Sequence, residues 1–293
     1  MKKLTVCLLF ALFVLCGRVA AAQKKEPLRA DWLALDVANI KRLLPELKRN
    51  EPLTLQALEQ IFGGPPAGFP LSFDTELGFG GRTFTFRKGG GYTSFRVTGF
   101  VFNDRIGYYT ISVGGSSSWP MIRSVMIETW KRNTDLEFNE GESSIAHYRD
   151  FPNVVADYKN EVTAQLGALE PVAVPPELRD AYDHLISLGK NSWIGEGGCG
   201  YGGVTPQGKK AIDAIVKANR VDLINNILKG HNPAGRVYAF LALFAMHRKG
   251  ISLTPESQRA MDVVRTLNIE LVRCRGCEIS SETAQQILNG WEF

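Results

Sequence analysis

Cys274 and Cys277, in the stretch "VRCRGCEISSE", are the residues whose types and spacing come nearest to a chemical motif. A C-x-x-C pair can be a thiol redox centre, half of a zinc site, a haem anchor or a structural disulfide. Glu278 stands where haem attachment needs a histidine, so the haem reading fails. A thioredoxin-type centre puts its first cysteine at the start of a helix. Here the preceding "NIELVRC" is extended in character, and a helix over "EISSETAQQIL" is expected to start only from a Ser280 or Ser281 cap. A zinc site could combine the pair with Cys199 and a histidine, but no second close-spaced ligand pair accompanies it. No metal and no cofactor are therefore expected.

A structural bridge remains, and its partner is open. By the chain-entropy relation a Cys274–Cys277 loop removes about 2 kcal/mol of unfolded-state entropy, and a link from Cys199 removes about 4.5 kcal/mol. Stability favours the long link, while the permanent nearness of Cys274 and Cys277 favours the short one. The expectation is Cys274 with Cys277, with Cys199 as the alternative partner.

Cys199 lies in the glycine-rich "GEGGCGYGG", residues 195–203. Such a segment reads as a loop whose backbone N–H groups can approach a ligand closely, just ahead of a helix N-terminus. Glu196, Cys199 and Tyr201 are the candidate binding residues, and a plain connector is the alternative. The overlapping "GVTPQGKK" fits a phosphate-binding loop except at its last position, where Lys210 replaces the Ser or Thr that holds magnesium. The histidines at 147, 184, 231 and 247 have no zinc-binding spacing, and His231 reads as a turn residue. Carboxylates such as Glu140 and Glu142 sit where solvent reaches them, and no G-x-S-x-G elbow is present. No catalytic residue is assigned.

The first 22 residues explain why a bridge is the default. "MKKLTVCLLFALFVLCGRVAAA" has two lysines, a short apolar run and a small-residue end, the grammar of a secretory signal cleaved after Ala22. Periplasmic or secreted placement in a bacterium is expected, where thiols oxidise. With Lys2, Lys3 and Arg18 removed, the 34 basic residues fall nearly level with the 30 acidic ones. Such a balance gives no footprint for nucleic acid, and no later stretch has the length for stable membrane insertion.

An α+β architecture is expected to hold these residues. Residues 23–168 form the first module: an amphipathic helix with Trp32, Leu33 and Ile40, a short helix capped by Thr54, then an antiparallel meander. Asn103 and Asp104 form a hairpin turn, and "MIRSVMIETW" and "DLEFN" continue the strand pattern. The prolines of 169–176 form a linker. Residues 177–293 are helical, punctuated by Gly189, Thr205–Pro206, Asn232–Pro233 and Thr254–Pro255, and end in the C-x-x-C segment.

Within 221–248, "VDLINNILKG" followed by "HNPAGRVYAFLALF" resembles a HEAT-type helical repeat, carried by Asn232, Pro233, Arg236, Ala239 and Leu243. "LTLQALEQIFGGPP" resembles the helix-plus-sheet modules of bacterial envelope lipoproteins. The HEAT resemblance implies a protein-binding role. The expected function is an exported, non-enzymatic binding or scaffolding protein that contacts another protein. The alternatives are an enzyme or thiol-redox protein using 195–203 with Cys274 and Cys277, and an envelope accessory or inhibitor protein.

Overall fold

The structure, a computed structural model, describes residues 28–47, 52, 54–62, 72–115, 119–133, 137–190, 193–199 and 202–291. Residues 1–22, where a signal segment is expected, the Gly63–Pro66 stop and Tyr201 lie outside the described residues. Helices α1 (Ala30–Leu47) and α2 (Leu55–Phe62) come first, and the Thr54 hydroxyl accepts from the Ala57 N–H at 3.1 Å as the cap its sequence promised. A six-stranded sheet follows: β1 (Ser72–Gly78), β2 (Gly81–Gly89), β3 (Thr93–Phe102), β4 (Arg105–Gly115), β5 (Asn139–Glu140) and β6 (Ser144–Asp150), in the order β1-β2-β3-β4-β6-β5. All its pairings are antiparallel. The β3–β4 turn falls on Asn103 and Asp104, both at positive φ of 47° and 62°, where a short polar side chain is tolerated best.

Register divides the sheet into two faces, because directly opposed residues of antiparallel strands point the same way. The row Phe86–Val97–Ile111–His147 is buried under helix α3 (Trp119–Asn133), with the Trp130 ring 6.1 Å from His147. The opposite rows are Arg87–Arg96–Ser112–Ala146 and Thr85–Thr98–Thr110–Tyr148. Helix α3 corrects the strand expected at "MIRSVMIETW". Its buried side chains, Trp119, Ile122, Met126 and Trp130, recur at helical spacing, and the isoleucines and valine between them imitate a strand composition.

Helix α4 (Pro152–Leu166) crosses the second face at one end, burying Tyr158 against Phe100 with ring centroids 5.1 Å apart. An extended run over 167–175 leads to a 3₁₀ turn (Pro176–Leu178) and α5 (Arg179–Ile186). Then come β7 (Ile194–Cys199), α6 (Gln207–Lys217), α7 (Val221–Leu228), α8 (Pro233–Arg248), α9 (Pro255–Thr266), β8 (Glu270–Gly276), β9 (Glu278–Thr283) and α10 (Ala284–Asn289). Asn232 caps α8 by accepting from Ala234 and Gly235 N–H, and Thr254 caps α9 through Ser257 N–H. Pro206 occupies the cap of α6 without a side-chain bond, so Thr205 does not cap it. At Gly235 any side chain would overlap the Leu185 carbonyl, so only glycine lets α8 cross α5 this closely.

One side chain joins the helical part to the sheet. Arg236 of α8 is 0 % exposed. Its Nε donates to Gly230 O at 2.8 Å, Nη1 donates to Leu77 O of β1 at 2.7 Å, and Nη2 donates to Tyr158 Oη at 3.0 Å. The guanidinium also lies 5.1 Å from the Phe79 ring in the β1–β2 turn. Buried apolar residues from both halves form one continuous cluster around this joint.

Replacing Arg236 with Met should leave the Gly230 carbonyl buried without a donor and the Leu77 carbonyl with only the Tyr158 hydroxyl at 3.4 Å, at a cost of about 3 kcal/mol. Urea unfolding measures this, and a loss under about 1 kcal/mol would show that the joint is dispensable.

Candidate functional site

Glu196, Cys199, Cys274 and Cys277 meet at a second, three-stranded sheet of order β7-β8-β9. The glycine-rich segment is not a loop over its first half: Ile194 and Gly195 pair in parallel with Arg273 and Cys274 of β8. Gly195 sits where a Cβ would come 2.7 Å from Pro206 and 3.0 Å from Cys199 Sγ, so the strand can lie down only with glycine here. The Tyr238 hydroxyl of α8 accepts the Gly195 N–H at 2.8 Å and anchors the strand to the helices. Burial pushes the Tyr238 phenol well above its ordinary pKa, keeping it a neutral partner.

The bridge joins Cys199 to Cys274, with Cα atoms 5.8 Å apart, and Cys277 is a free, exposed thiol. This corrects the expected Cys274–Cys277 link. Cys274 belongs to β8 and is buried beside β7, whereas Cys277 follows Gly276, at φ 57°, on the tip of the β8–β9 turn. The helix expected from Ser280 or Ser281 is also displaced, since β9 occupies those residues. Helix α10 starts later, with Thr283 and Gln286 forming a capping box.

Glu196 is committed to an ion-pair knot rather than held open. Its carboxylate meets Arg273 Nη2 directly and Arg275 Nε at 3.7 Å. Arg273, 1 % exposed, reaches Glu282 of β9 at 2.8 Å through Nη1 and lies 5.5 Å from the Trp291 ring. Burial pushes the Glu282 carboxyl up, but the Arg273 and Ser280 hydrogen bonds and the two arginine charges outweigh it and hold the group below its ordinary value. The structure thus brings Glu196, Cys199 and Cys274 into one structural node. Among the described residues no group of three or more His, Cys, Asp or Glu could hold a metal ion.

A different place is open to a ligand. Where the helical part covers only one end of the sheet's second face, a cavity of about 470 Å³ lies between β6, α4 and the segment after α5. Its base is the α4 face of Pro152, Val155, Ala156 and Lys159, and its cover is Ile186, Ser187, Leu188 and His231. Tyr108, Tyr148, Asp150 and Leu169 complete it, and Tyr108 also lines a neighbouring cavity of about 370 Å³ with Trp193 and Lys190. Burial, with Tyr148 and Tyr158 beside it, pushes the Tyr108 phenol up to about 12, so its hydroxyl stays protonated. Burial, then the charges of Lys159 and Arg236, push His231 down to about 4. The turn assignment of His231 holds, but no local signal marked it as lining a cavity, since α4 and α5 that enclose it lie far away in the chain. In comparison with known proteins, no family model matches this chain, and neither a curated protein nor a solved structure matches it.

Two outcomes follow. A peptide map of the non-reduced protein should join the Cys199 and Cys274 peptides, with Cys277 alone alkylated before reduction. Reduction should lower stability by about 2 to 5 kcal/mol, and a Cys274–Cys277 peptide would refute the assignment.

His231 stays neutral in the fold but takes a proton near 6.5 in the unfolded chain, so its contribution is complete above about pH 6.5 and is lost as pH falls towards about 4. Urea unfolding from pH 7.5 to 4.5 should show a slope that His231→Gln reduces. An imidazole NMR titration centred near 6.5 would contradict the burial.

Proposed function

We propose that this chain is an exported, non-enzymatic binding protein that engages an acidic protein partner through the open rows of its six-stranded sheet, on a rigid helical support. One observation carries the reading: Arg87 and Arg96 are directly opposed on β2 and β3, both exposed. Among the described residues neither side chain has a carboxylate partner. Like charges directly across two strands destabilise a sheet, so an acidic segment laid over the pair would relieve a standing repulsion. Ser112 continues the same row, and Thr98 and Thr110 lie in the next, offering hydroxyls beside the two guanidinium groups. Arginine recognises carboxylates through its planar fork, which a flat, pre-formed face can present without reorganising.

Two further observations are compatible with export. Cys199 and Cys274 are joined by a disulfide, and no described helix is long and apolar enough to cross a membrane. Cleavage after Ala22 belongs to the proposal, since that segment lies outside the described residues.

Fluorescence anisotropy with a labelled glutamate-rich peptide tests the face. Wild type should bind with an affinity that falls as salt rises, and Arg87→Ser with Arg96→Ser should weaken it at least tenfold. The same double variant should be as stable as wild type or a few tenths of a kcal/mol more stable, because the repulsion is gone. Equal binding by the variant would overturn the face. Catalytic turnover abolished by a point substitution would replace the binding reading with an enzymatic one.

A further inference from the structure

The cavity between β6 and α4 is independent of the arginine rows and carries its own polarity. At one end Lys159 stands beside the His231 imidazole, close enough for its charge to depress that ring. At the other, Asp150 stands beside Tyr148, whose phenol is raised by burial and by the Asp150 charge. Among the described residues neither Lys159 nor Asp150 has an ion-pair or hydrogen-bond partner for its side chain, and they do not pair with each other. The stretch between the two ends is lined by apolar side chains, among them Val155 and Leu188. An unpaired cation and an unpaired anion at opposite ends of an apolar trough define a ligand by complement: a cation at one end, an anion at the other, and an apolar body between them.

Length narrows the class. Pro152, beside Asp150, and Lys159 lie on one face of α4, and the helix axis advances about 10 Å between them. An extended peptide advances about 3.4 Å per residue, so two or three residues place a terminal ammonium and a terminal carboxylate about 7 to 10 Å apart. A volume of about 470 Å³ lies within the range of small-ligand sites and accommodates such a molecule.

We infer that this cleft binds a short peptide of two or three residues with both termini free. Its carboxylate sits at Lys159 and His231, its ammonium at Asp150 beside the Tyr148 ring, and an apolar side chain lies in the trough. The Tyr108 and Tyr148 rings, 6.4 Å apart, form the aromatic wall against which that side chain rests. Neutral His231 donates one hydrogen bond to the carboxylate without the cost of burying a second cation.

Calorimetry on the whole mature chain tests this with alanyl-phenylalanine, its N-acetyl form, its C-amide form and free phenylalanine. The free dipeptide should bind, and each blocked form should bind at least tenfold more weakly. Lys159→Met should weaken the free dipeptide to the level of the amide while leaving the amide unaffected, and Asp150→Asn should do the same with respect to the N-acetyl form. No binding of the free dipeptide at millimolar concentration would overturn the inference. So would affinities unchanged by both substitutions, or free phenylalanine binding as tightly as the dipeptide. Both substituted side chains are exposed, and the blocked peptides probe the same two ends in the unaltered protein. Arg96→Ser should leave dipeptide binding unchanged, so failure here is distinct from failure of the arginine face.

Discussion

The Arg236 guanidinium bonds to both halves of the molecule at once, taking a carbonyl from β1, a hydroxyl from α4 and a carbonyl from its own turn. A buried cation is tolerated only where its donors are met, and these oxygens meet them in the geometry of a planar fork. Because Leu77 and Gly230 lie on different halves, that requirement sets where the helical part rests on the sheet. It covers the Thr83–Phe100–Tyr108–Asp150 end and leaves the Arg87–Arg96 row bare. Both the cleft and the open face are consequences of that placement.

The second buried arginine works differently. Arg273 faces carboxylates, Glu196 and Glu282, and so ties the last two strands to β7 through charge, beside the disulfide that ties the same elements covalently. Removing one acid would leave a buried cation partly uncompensated, a costlier change than losing an exposed pair. The charges and the disulfide thereby hold the glycine-rich strand against β8. Exposed charge without a partner among the described residues lies elsewhere, on Arg87, Arg96, Lys159 and Asp150.

Much of the scaffold was legible locally. The Thr54, Asn232 and Thr254 caps and the Asn103–Asp104 turn are decided within a few residues, because capping and turn formation are short-range hydrogen-bond chemistry. The α+β class and the meander followed from alternation and from clean helix stops. Two of the errors, one helix and one strand, come from composition. Trp119–Asn133 has strand-like composition but helical spacing, and β7 has loop-like composition but is held flat by β8 and by the Tyr238 hydroxyl. In both, packing overrode the local preference.

By itself the sequence determined most of the element types and ends, and that the three cysteines after residue 22 leave one thiol over. It could not determine which two pair. Cys199 meets Cys274 because a parallel strand pairing brings residues 75 positions apart to neighbouring places, and no local spacing encodes that. The same holds for the cleft: Asp150, Lys159 and His231 carry no mutual signal along the chain, and only the seating of the helices on the sheet, fixed through Arg236, sets them around one cavity.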